Sequence, residues 1–594
     1  MAYSVSRRTF LGVAGGAAAA LAGLGLAGCA KEGGSGGAGS ATGASPQNGV
    51  PATTPLNQLP LPEKGKTYNN PKSRDQIKDG GTATFPVAEV GPDFNYFSVN
   101  GNTTYMKWFW LCYNSAVVPF RCNATASKFE PDPNFVDSSS VKEVDGKEVV
   151  TINIAEKATF NDGTPIDWRA VEAAWTVNNG KNSDYTPAST DGWSQVESVT
   201  KGDNDKQAII TFSQPYYPYE ALVGFLHPSA ATPEVFNNGW KRNPHNEWGC
   251  GPFVVDSVDE AQITFKRNPK WWGDVAKLES ITFKQMEAQA EFNAFKNGEI
   301  DATELGQQGT GEMLSNFQGM DKVEIRRSDS KSIACLEVNT TRDVLSDIEV
   351  RKALMQCINT ETILGIVYQG VNWKEDRLSS LSILPWMDGY EDNLPQDVSA
   401  NATADAQIAA AKKTLEDAGY ELGSDGYYAK GGKQVAFGFT TIGDSNVTKN
   451  RAAAIQKMAK DAGIKLELQN KAASEFSSTL TGGEWDTILT SWGFVVSAMW
   501  YGKMIFGSHS VSNYTQWGTP ELDAEFDRIN SIKDSADQLK AYNAAEKKAL
   551  ESYCFIPLYA GPDVVVTKKG LANFGPALFQ TVLPQDIGWE KAAS

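Results

Sequence analysis

Three features of the sequence predict an α/β protein of two or three lobes. They are strand-like alternation, amphipathic helices interleaved with it, and a length beyond the reach of one core. Val150, Ile152 and Ile154 recur at every second position, as do Ala208, Ile210 and Phe212, then Val435, Phe437 and Phe439, then Ile464, Leu466 and Leu468. A period of two turns one face of each segment inward, the pattern of a half-buried strand. Between these runs, Ile408, Ala411, Leu415 and Ala418 fall at helical spacing, with Thr403 near the start and Gly419 as the stop. Val350, Leu354 and Cys357 make a second stripe, and Leu522, Phe526 and Ile529 a third. Interleaving of the two patterns indicates sheets packed against helices. With the N-terminal region set aside, about 530 residues remain, more than a single hydrophobic core organises.

The N-terminus reads as an address. Ser6-Arg7-Arg8-Thr9-Phe10-Leu11 has the form of a twin-arginine export signal, and no charge follows from Phe10 to Ala27. That run ends in Leu26-Ala27-Gly28-Cys29, which resembles the lipobox whose cysteine accepts a diacylglyceryl group. Residues 1–29 are therefore expected to be a lipoprotein signal, with Cys29 as the lipidation site. The protein is expected to be exported and lipid-anchored to the outer face of the cell membrane. From Ala30 to about Pro62 the chain is mainly Gly, Ser, Ala, Thr and Pro, with too little apolar mass to bury. Residues 30–74 are expected to form a flexible tether; about thirty such residues reach roughly 30 Å.

Composition bounds the function. The formal net charge is −17, with 41% hydrophobic and 21% charged residues. No basic stripe offsets the acidity, which excludes the nucleic-acid-binding classes. Neither H-E-x-x-H nor a Walker phosphate loop occurs. His227, His245 and His509 are far apart and each reads as structural, so no metal or cofactor is expected. Asp203-Asn204-Asp205 lacks the glycine and distal glutamate of a calcium loop and reads as a polar turn. Gly306-Gln307-Gln308-Gly309-Thr310-Gly311 reads as a loop. Besides Cys29 there are six cysteines, of which only Cys112 and Cys122 are close in sequence. Buried free thiols are expected there ahead of a bridge.

Five further segments carry a resemblance. Thr151-Ile152-Asn153-Ile154 leads to Phe160-Asn161-Asp162-Gly163-Thr164-Pro165, a strand and then a turn shaped by Asp-Gly and Pro165. Trp248-Gly249-Cys250-Gly251-Pro252-Phe253 is followed by Phe265-Lys266-Arg267-Asn268-Pro269-Lys270-Trp271-Trp272. Phe295-Lys296-Asn297-Gly298-Glu299-Ile300-Asp301 comes next, then Val338-Asn339-Thr340 with Val350-Arg351-Lys352-Ala353-Leu354. Ser491-Trp492-Gly493 leads to Asn513-Tyr514, Pro520-Glu521-Leu522-Asp523 and Ile556-Pro557-Leu558-Tyr559. In this order, over residues 80–560, they resemble the bacterial extracellular solute-binding family 5, which includes dipeptide and oligopeptide binders of ABC importers. The resemblance implies an α/β, two-lobed, periplasmic-binding-protein-like clamshell with an extra inserted subdomain. It implies lobe I from residues 75–98, 195–328 and 562–594, a subdomain inserted at 99–194, and lobe II at 329–561. It further implies a monomer that traps solute by hinge closure, docks on membrane permease subunits and does no chemistry.

Carried over residue by residue, the ligand site centres on Ser491, Trp492, Gly493, Phe494 and Val495. Trp492 is expected in the binding wall, with Ser491 and Gly493 offering backbone groups that extend a peptide as a strand does. Val495 stands where oligopeptide binders carry the aspartate that holds the ligand's α-ammonium. Leu480 and Leu489 stand near the positions of basic residues that pair with its carboxylate. An ammonium buried without a counter-charge is costly. Either another carboxylate serves, with Asp444 and Glu89 as candidates, or the ligand is not a zwitterionic peptide. Tyr113 and Asn114 are further candidates for the cleft wall, with simple packing as the alternative. The function implied is capture of di- or oligopeptides for a permease. The alternatives are an oligosaccharide or other neutral solute, or a cell-envelope scaffold or regulator that has lost transport.

Overall fold

The alternating segments fold as strands. Val150, Ile152 and Ile154 lie in Lys147–Ile154, and Ala208, Ile210 and Phe212 lie in Gln207–Phe212. The two pair antiparallel with Val150 opposite Ile210, and all six side chains are buried. The computed structural model describes residues 46–592 apart from 88, 92, 99–100, 103, 191, 218, 287, 399–401, 444, 473–474, 495–500 and 511. Val136–Val144 and Val196–Lys201 complete this four-stranded sheet. Its ladder crosses the subdomain boundary expected at residue 194. One hydrogen-bonded sheet cannot be divided between two units, so this unit extends at least to Phe212.

The helical stripes fold as read. Ala404–Asp417 begins where Thr403 accepts the Ala406 N–H, and it ends before Gly419, whose φ of +83° turns the chain away. Ile348–Cys357 and Pro520–Asn530 bury the other two stripes. One strand departs from its pattern. Lys465–Lys471 lies at a sheet edge, and after Leu466 it leaves the packed region, so Leu468 is 45% exposed. All six described cysteines are buried free thiols, Cys112 and Cys122 included. No helix among the described residues is long and apolar enough to cross a membrane.

Two sheets position the site. One has the order Val50–Pro51, Val323–Asp329, Pro562–Lys568, Ala302–Glu304 and is antiparallel throughout. The other has the order Lys465–Lys471, Ala436–Ile442, Thr487–Gly493, Ser332–Val338, Phe555–Tyr559. Central strands of the first run straight into strands of the second. Val323–Asp329 continues through Ser330 and Lys331 into Ser332–Val338, and Phe555–Tyr559 continues through Ala560 and Gly561 into Pro562–Lys568. The two lobes are thus joined by a paired crossing. Glu375 fixes one connection, accepting the N–H groups of Ala560 (2.8 Å) and Gly561 (2.7 Å) and the Trp373 indole N–H (2.8 Å). Trp386 fixes the other by donating to the Ser330 carbonyl at 2.7 Å. Gly561 is required where it stands: its φ is +71°, and a Cβ there would lie 2.2 Å from the Tyr368 hydroxyl.

Of the tether expected at 30–74, the stretch from Val50 onward packs against the body. Val50 and Pro51 pair with Val323–Asp329, and Ala52, Leu56, Leu59 and Tyr68 are buried. Burying a leucine contributes about 2 kcal/mol, so two leucines and a tyrosine hold a stretch whose remaining composition is loop-like. Arg327 adds to this by donating to the carbonyls of Leu59 (3.1 Å) and Pro60 (2.7 Å).

Candidate functional site

The site is built on Thr487–Gly493, which pairs antiparallel with Ser332–Val338, Trp492 opposite Ile333 and Ser491 opposite Ala334. Just past its end, the Phe494 N–H donates to the Lys331 carbonyl at 2.9 Å. Hydrogen-bonded pairs alternate along an antiparallel ladder. Thr490, Trp492 and Phe494 therefore bond inward to that strand, while Leu489, Ser491 and Gly493 turn their backbone groups to the other side. On that side Ala436–Ile442 pairs only with Thr487 and Ile488. From Leu489 to Gly493 no described strand covers the edge, and Ser491 and Gly493 are exposed.

The opposite lobe reaches this edge. Gln307 lies in the loop after Ala302–Glu304 and accepts the Ser491 hydroxyl at 3.3 Å. Gln307 is held in turn: its amide donates to the Ala560 carbonyl at 2.5 Å, and its own carbonyl accepts the Tyr368 hydroxyl at 3.1 Å. Charged groups gather at the junction. Burial and the neighbouring Lys331 push the Lys107 ammonium down to about 7. Burial, with repulsion from Asp563, pushes the Glu304 carboxyl up to about 7, while Lys331 opposes the shift. The Glu304 side chain is exposed, so solvent screens much of that effect. Burial also raises Asp563, again against Lys331.

Behind the edge lies a cavity of about 20 Å³ lined by Glu337, Phe476, Leu480, Thr490, Ser491, Trp492, Met504, Ser512 and Tyr514. Glu337 is 1% exposed. One of its oxygens, Oε1, accepts the Thr490 hydroxyl (2.6 Å) and the Trp492 indole N–H (3.0 Å). The other, Oε2, is buried without a hydrogen-bond partner. Burial pushes this carboxyl up to about 7, against the lowering effect of its two donors.

The structure brings some of the expected residues together and separates others. Ser491, Trp492 and Gly493 share one strand end, and Trp492 and Ser491 line the cavity. Leu480, expected near the position of a basic residue in oligopeptide binders, lines it too. Phe494 is wholly buried. Tyr113 and Asn114 are core residues rather than cleft wall. The Tyr113 ring stacks on Phe265 at 6.2 Å, and Asn114 accepts the Cys250 thiol at 3.0 Å. Glu89 is exposed on the loop after Thr82–Val87. Asp444 and Val495 lie outside the described residues. Glu337, Gln307 and Tyr514 were not singled out as ligand residues. Glu337 had a signal: it is the single charge within Ser332–Val338, a strand otherwise apolar but for its first residue.

Two lobes joined by a paired crossing, with an uncovered strand edge at their junction, define a solute-binding protein of the two-lobed kind. The chain belongs to the bacterial extracellular solute-binding proteins, family 5, whose middle-region model matches residues 130–513. The oligopeptide-binding protein OppA of Mycobacterium tuberculosis (strain H37Rv) is 29% identical over 513 residues, covering 84% of this chain and 83% of its own. The periplasmic EDTA-binding protein EppA matches with a TM-score of 0.78 at 21% identity, over 88% of this chain and 98% of that one. AppA of Bacillus subtilis, solved with a nonapeptide, matches with a TM-score of 0.72 at 16% identity, over 87% and 100%. At these identities the two structures establish the fold.

Proposed function

We propose that this protein captures peptides outside the cell and delivers them to an ABC permease, as a lipid-anchored binding component without chemistry of its own. The uncovered edge from Leu489 to Gly493 carries this reading. It offers backbone N–H and C=O groups in the spacing an extended main chain matches, which a peptide supplies and a sugar does not. Gln307 sets a polar group from the opposite lobe beside that edge. Lys107, Lys331, Glu304 and Asp563 give the junction basic and acidic groups together, suited to a ligand that carries both. Similarity to an oligopeptide-binding protein over most of the chain points the same way. Short alanine peptides should give a saturable heat in titration calorimetry, and small-angle scattering of the saturated protein should show a smaller radius of gyration. Saturable binding of a maltooligosaccharide, with no heat from any peptide, would overturn the reading.

A further inference from the structure

Two covalent crossings join the lobes, and a third segment runs beside them. It starts on lobe I, where Val50 and Pro51 pair with Val323–Asp329 and the Ala52 N–H donates to the Val323 carbonyl at 2.9 Å. Its middle grips the loop of lobe II that follows the helix Thr360–Val367. There the Asn372 N–H donates to the Leu56 carbonyl at 3.0 Å, and the Asn372 side-chain amide donates to the Leu59 carbonyl at 2.9 Å. Lys64 reaches the Pro385 carbonyl at 3.3 Å. The Gly65 N–H then donates to the Asp329 carboxylate on a crossing strand at 3.1 Å. The segment returns to lobe I, where the Tyr68 N–H donates to the Pro576 carbonyl at 2.8 Å. Arg327 sits where crossing strand, segment and lobe II meet. Its guanidinium donates to the carbonyls of Leu59 (3.1 Å) and Pro60 (2.7 Å) and, from lobe II, of Asn372 (2.8 Å). It also lies 5.6 Å from the centre of the Trp373 ring.

Both ends of this segment are held on lobe I and its middle on lobe II. The lobes therefore cannot swing apart around Asn372 without breaking these bonds. Breaking them is costly, because Leu59 and Arg327 are buried and buried polar groups stripped of their partners are left unsatisfied. Leu56 and Leu59 would lose apolar burial as well. We infer that residues 50–68 are a staple across the crossing, locked by Arg327, which limits how far the lobes open when no solute is bound. The inference rests on the two-lobed fold and is independent of the peptide reading.

Small-angle scattering of the ligand-free protein reads the opening directly. Arg327→Lys keeps the charge but loses the planar fork that spans three carbonyls. The folded variant should show a larger radius of gyration than the parent. Asn372→Ala combined with Lys64→Ala removes two side-chain bonds of the staple and leaves Arg327 in place. It should move the radius in the same direction, and it carries the test if Arg327→Lys does not fold. A segment that only stabilises the fold would lower the melting temperature of the double variant and leave its radius unchanged; that result overturns the inference. Titration with trialanine supplies a second readout. A smaller population of the closed form weakens apparent affinity in proportion, so a loss of about threefold or more is expected in either variant. Saturating trialanine should bring the variants back to the radius of the saturated parent. A larger ligand-free radius with no trialanine binding in any form keeps the staple and removes the peptide reading. An unchanged radius with undiminished trialanine binding keeps the peptide reading and removes the staple.

Discussion

Glu337 couples the pocket to pH even without a ligand. Burial raises its carboxyl from 4.5 to about 7, so the folded protein holds this proton more tightly than the unfolded chain. The resulting stability is complete below about pH 4.5 and is lost as pH rises through about 7. Above that range the ionised, half-satisfied carboxylate costs the fold about 3 kcal/mol. Its titratable neighbours Cys335 and Tyr514 are themselves raised and stay neutral across the window. Glu337→Gln should therefore melt close to the parent at pH 4.5 and several degrees above it at pH 8.5. Equal melting temperatures at both pH values would show that the carboxyl is not held in this way.

At the scale of the strand, Ser491 and Trp492 are adjacent yet do different work. The Trp492 backbone bonds to Ser332–Val338, whereas that of Ser491 faces the uncovered edge. Proline lacks the N–H group and is tolerated on strand edges. Ser491→Pro should leave the ladder intact and the melting temperature nearly unchanged. It should lower affinity for short peptides about tenfold or more, the effect of losing about 1.4 kcal/mol of binding. Unchanged affinity in a folded Ser491→Pro protein would mean that the peptide main chain does not pair with this edge. A substitution at Trp492 cannot make that distinction, because its backbone is a rung of the ladder.

At the scale of the whole molecule, the prediction concerns its attachment. Arg7 and Arg8 precede an uncharged run that ends in Leu26-Ala27-Gly28-Cys29. A doubly acylated cysteine holds a protein to a bilayer stably where a single chain binds reversibly. Placement against the body begins by residue 50, at the pairing of Val50 and Pro51 with Val323–Asp329. Cys29→Ala should move the protein from the membrane fraction to the medium or the soluble extract. Retention of that variant on membranes as firm as the parent's would remove the lipid anchor from the account.

What the sequence determined by itself was whatever depends on local periodicity and short motifs. The strands around Ile152, Ile210 and Phe437, the helix between Thr403 and Gly419 and the turn at Asp162-Gly163 follow from spacing and from φ preferences that neighbouring residues set. Motif order was enough to reach the family and the two-lobed fold, and it placed Ser491, Trp492 and Gly493 together because they are contiguous. Other features lie between segments distant in the chain, and only the tertiary structure decided those. Tyr113 and Asn114 became core because Phe265 and Cys250 pack on them, which no local pattern announces. Leu56 and Leu59 stopped being tether because Val323–Asp329 passes beside them. The Glu337 pocket needed three separate stretches, residues 337, 476–492 and 504–514, to meet. A glutamate in an apolar strand is legible as an anomaly in sequence; that it is buried with one oxygen on Thr490 and Trp492 and the other without a partner is a fact of packing alone.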